Sequence, residues 1–428
     1  MKFAILCVLC AGVLVPREAA GFHFAFQFVK ELLFPKAPMV TKVRDFGQGR
    51  ALGNDFAVLD TVGLVEKHGY RAEEHNITTE DGYNLVFFRI SGSPRSTATK
   101  GKPVVFLQHG ILASSDAWVL RGPDHDLAFL LADEGYDVWL GNGRGNSYGR
   151  SHTTLSPQDR DFWNFSFHEI GVWDLPRMID HALENSGEET LFYIGHSMGT
   201  TAAFILLSER PEYNDRMRLV VSLAPIAMWN GAPNPFIELV VLNGVAIKTL
   251  LDANGIYELG PQTENNVRIG RAFCSDNSIT QPACTALYFI LAGDDPKQLN
   301  SSFLPHLTSY LPAGISTDTL WHYRQNMLTG TFQKFDLGHA ANFRLYRNKK
   351  PPTYEVKKIS APIALIYGKN DIISTESNTA ELVKRLQNVV TFEAVPYDSF
   401  NHLDFMWALN SKELLYDRII ELMSNYTE

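Results

Sequence analysis

The 428-residue chain predicts an α/β fold in which a mostly parallel, doubly wound sheet carries an inserted helical block, and three observations lead there. Short apolar runs of strand character at 102–109, 136–140, 190–196 and 219–224 alternate with stretches of helical pattern, as such a sheet requires. One of these runs passes through a glycine-framed serine directly into a helical pattern. Near Trp229 the alternation stops, and it resumes at Ile363 after a stretch of helical character. At this length a large domain with an inserted or appended subdomain is the expected organisation.

The chain opens with Lys2 and an apolar run, ended by Pro16 and the small residues Ala19, Ala20 and Gly21, so residues 1–20 read as a signal peptide. The run is too short to span a bilayer, and no transmembrane segment is expected. Its removal takes Cys7 and Cys10 with it. Of the four cysteines Cys274 and Cys284 then remain, and in an oxidising compartment a bridge between them is expected, the alternative being two buried thiols. Sequons at Asn76, Asn164, Asn300 and Asn425 are candidate glycosylation sites. Asn164 sits among Phe162, Trp163, Phe165 and Phe167, a setting that predicts a packed side chain. Residues 21–58 form an N-terminal extension to which no role can be assigned.

Residues 59–228 form the first part of the core. After a short amphipathic pattern at 59–68 come two strand-like runs separated by Asp81 and Gly82, the composition of a hairpin turn. The continuous apolar run at 102–109 has the character of a strand buried on both faces. The glycine loop 141–145 lacks the G-x-G-x-x-G spacing and opens no helix, which argues against a dinucleotide site. At 190–204 a strand, a sharp turn at Ser197 and a helix follow one another, and Gly195 and Gly199 remove the Cβ atoms that so tight a turn cannot hold. Residues 145–149 match the same letter pattern around Ser147, but neither a strand before nor a helical period after supports that match.

Residues 229–348 are helical in character, with an almost wholly apolar stretch at 235–251, and read as a helical cap or lid inserted after a strand near the serine. Residues 349–428 complete the core, with strands expected at 363–367 and 390–397.

A serine hydroxyl is a poor nucleophile near neutrality and needs a base, itself held in the right tautomer by a carboxylate. On a sheet of this kind the chain order is Ser, then Asp or Glu, then His. Ser197 is the nucleophile candidate, and His402, in a loop after a strand, is the base. Asp371, in a glycine turn after a strand, leads Asp398 and Asp404 as the acid. Amide donors for an oxyanion belong after the nucleophile and in the loop after an earlier strand, which selects Met198 and Leu112.

The runs 108–115, 135–146, 195–201 and 401–405 together, in this order, resemble the acid lipases, the group that holds gastric, lingual and lysosomal acid lipases and their insect relatives. The resemblance extends from about residue 59 to the C-terminus. It implies an α/β-hydrolase core with a helical cap, a mechanism without cofactor or metal, and neutral lipids, triacylglycerols or sterol esters, as substrates. Carried over residue by residue, it puts the nucleophile on Ser197, the acid on Asp371, the base on His402 and the oxyanion amides on Leu112 and Met198. Met198 stands where glutamine is usual in the vertebrate members, which predicts an altered pocket wall around an intact amide.

Composition narrows the partners further. With 45% hydrophobic and 20% charged residues the chain has the make-up of a globular protein, and 38 Lys and Arg against 47 Asp and Glu leave −9, which argues against a nucleic-acid partner. A lipid-droplet or emulsion surface is the expected partner, and the exterior or the lysosome the expected destination. A short-chain carboxylesterase, an acyltransferase or a non-catalytic lipid-binding protein are the alternatives.

Overall fold

The structure, a computed structural model, describes residues 37–51, 56–96 and 101–427. The expected signal peptide and residues 21–36 of the extension lie outside the described residues. The core strands are β1 (Arg71–Thr78), β2 (Tyr83–Gly92), β3 (Val104–Gln108), β4 (Asp137–Leu140), β5 (Leu191–His196), β6 (Met217–Leu223), β7 (Ile363–Tyr367) and β8 (Val389–Ala394). They lie side by side in the order β8-β7-β6-β5-β3-β4-β2-β1, and the two-residue strand Ser151–His152 pairs with β2. All neighbours from β8 to β4 run parallel, while β1 and β2 are antiparallel to their partners.

Both faces of this sheet are covered, and the strands show why. Every residue of β3, β4, β5 and β7 is buried, so these strands are mostly apolar, whereas the edge strand β1 has a single buried residue and β8 alternates exposed and half-buried positions. Successive side chains alternate between two apolar cores: Val105, Leu107, Phe192 and Ile194 point into one, Val104, Phe106, Leu191 and Tyr193 into the other. Helices α1 (Leu127–Asp133) and, at the C-terminus, Asp417–Ser424 pack in the first core. Helices α2 (Leu175–Ser186) and α3 (Met198–Glu209) pack in the second.

Between β6 and β7 the chain forms α4 (Pro235–Ala253), α5 (Glu264–Cys274), α6 (Gln281–Ala292), α7 (Thr317–Thr329) and α8 (His339–Tyr346). Cys274 and Cys284 are joined by a disulfide that links the end of α5 to the start of α6. Helix α4 is apolar on more than one side: Val241 and Gly244 are buried, while Leu239, Leu242 and Val245 are 46%, 67% and 57% exposed.

The described part of the N-terminal extension has a definite place. Lys42 and Val43 pair in parallel with Val58 and Leu59, and the Val40 amide donates to the Gln262 carbonyl at 2.9 Å, so this strap joins the insertion to the core. Lys42 Nζ reaches the fully buried Asp116 at 2.6 Å, where Thr61, Ser114 and Tyr148 hydroxyls also donate. The glycine loop after β4 is structural as well. Arg144 is buried beneath it and donates to Asp174 and Asp81, each at 2.8 Å.

All four sequon asparagines are exposed, which corrects the packed setting expected for Asn164. The tight turn Arg160–Trp163 sends Phe162, Trp163 and Phe165 inward and leaves Asn164 outward, bonded only to Asp161 among the described residues. Among those residues no helix is long and apolar enough to cross a membrane.

Candidate active site

Strand β5 ends at His196, and the chain turns into α3 at Ser197, whose φ of 53° and ψ of −117° are strained for a residue with a Cβ. The turn is as tight as the glycines require. A Cβ on Gly195 would lie 2.8 Å from the Gly199 carbonyl carbon, and one on Gly199 would lie 2.4 Å from the Gln108 oxygen. The Ser197 amide donates to Leu223 of β6 at 3.0 Å, and Thr200 Oγ1 donates to the Ser197 carbonyl at 2.7 Å. The strained residue is therefore bonded on both sides.

The Ser197 hydroxyl donates to His402 Nε2 at 2.9 Å, and His402 Nδ1 donates to Asp371 Oδ2 at 2.8 Å. The carboxylate thus sets the tautomer, leaving Nε2 to take the serine proton. Asp371 Oδ1 accepts the amides of Ile373 and Ser374, each at 2.8 Å, so the acid is oriented by its own turn after β7. The other two acids are elsewhere engaged. Asp398 is 87% exposed and paired with Lys369, and Asp404 accepts the Asn401 amide. Ser147 Oγ has no hydrogen-bond partner among the described residues.

Leu112 takes the left-handed conformation, with φ 60°, in the loop after β3. Neither its amide nor that of Met198 donates to an acceptor among the described residues, so both remain available to a ligand oxygen. The loop is held from two directions. His109 Nδ1 donates to the Gly110 carbonyl at 2.8 Å while its Nε2 accepts from the Gly143 amide at 3.2 Å, and the Leu112 carbonyl accepts from Ala313 of the insertion at 2.7 Å. Burial brings the His109 imidazole down to about 4, which keeps it neutral for this double role.

His196 escaped sequence reasoning, although its place directly before the serine was the available signal. It is buried, and burial next to His402 lowers it to about 3. A neutral imidazole there donates from Nε2 to the His402 carbonyl at 3.0 Å.

Ser197, His402 and Leu112 face a cavity of about 720 Å³ whose walls come mainly from the insertion, including Phe236 and Val241 of α4, Tyr288 of α6 and Trp321 of α7. The lining is almost entirely apolar, so it offers a place for hydrocarbon next to a bonded hydroxyl. Met198 is not part of that wall. Its side chain is buried in the core, which corrects the altered pocket wall expected from it. No three His, Cys, Asp or Glu side chains among the described residues converge in a metal-binding arrangement.

Comparison with known proteins agrees with this geometry. Residues 61–122 match the model of a partial α/β-hydrolase lipase region, and residues 103–268 that of the α/β-hydrolase fold. Lipase 3 of Drosophila melanogaster is 36% identical over 89% of this chain and 96% of its own length. Human lysosomal acid lipase/cholesteryl ester hydrolase is 38% identical over 85% of this chain and 90% of its own, and bovine gastric triacylglycerol lipase 35% over 88% and 94%. Among solved structures, a lipase-like protein of Sulfolobus solfataricus superposes with a TM-score of 0.55 at 15% identity, over 83% of this chain and 94% of its own, a likeness of fold alone.

Proposed function

Because the chain belongs to the acid lipase family of α/β-hydrolases, we propose that it hydrolyses the ester bonds of triacylglycerols or sterol esters through an acyl-enzyme on Ser197. The enzyme class, a lipase or esterase of this fold, follows from the family. The observation that carries the finer reading is the bonded Ser197 hydroxyl opening into an apolar cavity large enough for acyl chains.

As the ester carbonyl settles over Ser197, Oγ attacks it and the proton passes to His402 Nε2. Asp371 remains ionised and stabilises the imidazolium without taking a proton itself. The amides of Leu112 and Met198 receive the developing oxyanion, each such donor being worth about 10²- to 10³-fold in rate. His402 then returns the proton to the departing alcohol. A water molecule, deprotonated by the same imidazole, attacks the acyl-enzyme, and the fatty acid leaves as Ser197 recovers its proton.

Residues 229–348 act in this reading as the cap, with the inner side of α4 lining the acyl site and Leu239, Leu242 and Val245 meeting the lipid surface. A secreted or lysosomal destination accords with the relatives named for gastric and lysosomal lipases. The test compares emulsified long-chain triacylglycerol, sterol oleate and a soluble short-chain ester with wild-type protein and Ser197→Ala. Wild type should prefer a long-chain substrate, and the variant should lose on the order of a million-fold. Cleavage of the short ester alone would make the protein a small-ester hydrolase, and survival of activity in the variant would remove Ser197 from the chemistry.

A further inference from the structure

The cavity that opens on Ser197 has two permanent cations in its almost entirely apolar wall, Lys248 of α4 and Arg324 of α7. They are placed differently. Lys248 Nζ lies 3.1 Å from Asp252 and 3.0 Å from Asp318, so its charge is already met. Arg324 is half-buried and pairs with no carboxylate among the described residues. Its Nε donates to the Val241 carbonyl of α4 at 2.7 Å, and its guanidinium carbon lies 4.6 Å from the centre of the Trp321 ring. Neither Nη atom has an acceptor among the described residues.

Helix α4 makes room for this group. A Cβ on Gly244 would lie 2.3 Å from Arg324 Nε, so a glycine in the middle of the helix lets the guanidinium lie against its backbone. The head is thus held at Nε and over one aromatic face, while the end that carries Nη1 and Nη2 is left over. Burial pulls the Arg324 pKa down, and no acid opposes it. A guanidinium so placed gains most from an oxyanion, because two oxygens match its planar fork and charge-assisted bonds are about twice as strong as neutral ones. Two other polar side chains of the wall are committed elsewhere: Asn266 Nδ2 donates to the Pro261 carbonyl at 2.8 Å and Thr308 Oγ1 to the Pro305 carbonyl at 3.2 Å.

We propose that Arg324 is the carboxylate anchor of a fatty-acid site: the chain of the free acid lies along the apolar wall, its carboxylate bonds to the Nη atoms, and the product of hydrolysis competes with the next ester. The choice of a fatty acid rests on the lipase reading. An ester that enters the same cavity is neutral and brings no such anion, so the guanidinium discriminates product from substrate. Turnover is thereby paced by removal of the fatty acid.

Displacement of diphenylhexatriene, a neutral fluorescent hydrocarbon, from the full chain at neutral pH reads this site without turnover, so a wrong lipid substrate leaves the test intact. With ligands kept below micelle-forming concentrations, oleate should displace the probe from wild type at about 10- to 100-fold lower concentration than oleyl alcohol. Arg324→Gln keeps an amide donor for Val241 and removes the charge. There the two ligands should become equal to within about threefold, while Arg324→Lys should retain a preference for oleate. Uptake of the probe reports an intact cavity, and Arg324→Met is read in the same way if the glutamine variant does not fold. Equal displacement by the two ligands in wild type overturns the site, and a preference that persists in Arg324→Gln overturns the anchor. Loss of the preference in Arg324→Lys as well would trace it to packing against α4 and also overturn the anchor. Oleoyl lysophosphatidate binding at least about tenfold tighter than oleate would overturn the fatty acid in favour of a phospholipid phosphate.

Discussion

The imidazole of His196 donates to the backbone carbonyl of His402 at 3.0 Å, so the residue before the nucleophile holds the residue that activates it. Replacing His196 with Leu leaves that buried carbonyl unpaired and lets the His402 loop drift. A displacement of this kind should lower kcat on a soluble ester by about tenfold or more with KM little changed. His196→Gln, whose amide can still donate, should recover part of the loss. A rise in KM at constant kcat would instead assign His196 to the substrate site.

His322 sits between the Ser166 hydroxyl and the Gln333 carbonyl and stacks on Phe167, and burial lowers it to about 3. The folded protein therefore refuses a proton that the unfolded chain accepts below about 6.5. The sign follows: this residue withdraws stability as pH falls from about 6.5 towards its folded value. In His322→Gln the penalty of substitution should accordingly shrink by about 2 kcal/mol between about pH 7.5 and pH 5. Urea unfolding at the two pH values measures it, and a penalty independent of pH would mean that His322 titrates normally.

Lys42 faces Asp116 at 2.6 Å, and the carboxylate is fully buried. Lys42→Met leaves that charge alone and should cost about 3–5 kcal/mol of stability. Combining it with Asp116→Asn should return much of the loss. A double-mutant cycle read by chemical denaturation decides the matter, and additive losses would show that the two groups do not interact.

The outer side of α4 should matter only at an interface. Leu242 and Val245 are exposed and do not line the cavity. Burying each such side chain is worth about 1.5–3 kcal/mol, so changing both to Asp should weaken turnover of emulsified triacylglycerol by at least about tenfold. Hydrolysis of a dissolved short ester should be unaffected. Equal losses on the two substrates would place these residues in folding instead of surface contact.

The sheet was legible because parallel strands buried on both faces have no polar alternation to disguise them, as in the five residues of β3 and of β7. Ser197 and Asp371 were legible for the same reason, each following such a strand, whereas His402 follows the edge strand β8 and was legible by its loop position alone. Contacts across long separations were not. Nothing local in Lys42 points to Asp116, 74 residues on. Asn164 misled because a run of rings implies burial of everything between them, whereas a tight turn sorts alternate residues to opposite sides. The insertion was readable as helical but no further, since a helix such as α4 with apolar residues on several sides has no single face that says where it packs.

One pattern at the active site bears on how such enzymes diversify. The insertion holds the reactive loops with its backbone: the Ala313 amide meets Leu112, the Ala292 carbonyl meets His402, and the Gly293 carbonyl meets Asn401. Backbone groups survive nearly any exchange of side chains. The helices over the cavity are thus free to drift in sequence, and the range of esters admitted can change over generations while the alignment of the reacting atoms is inherited intact.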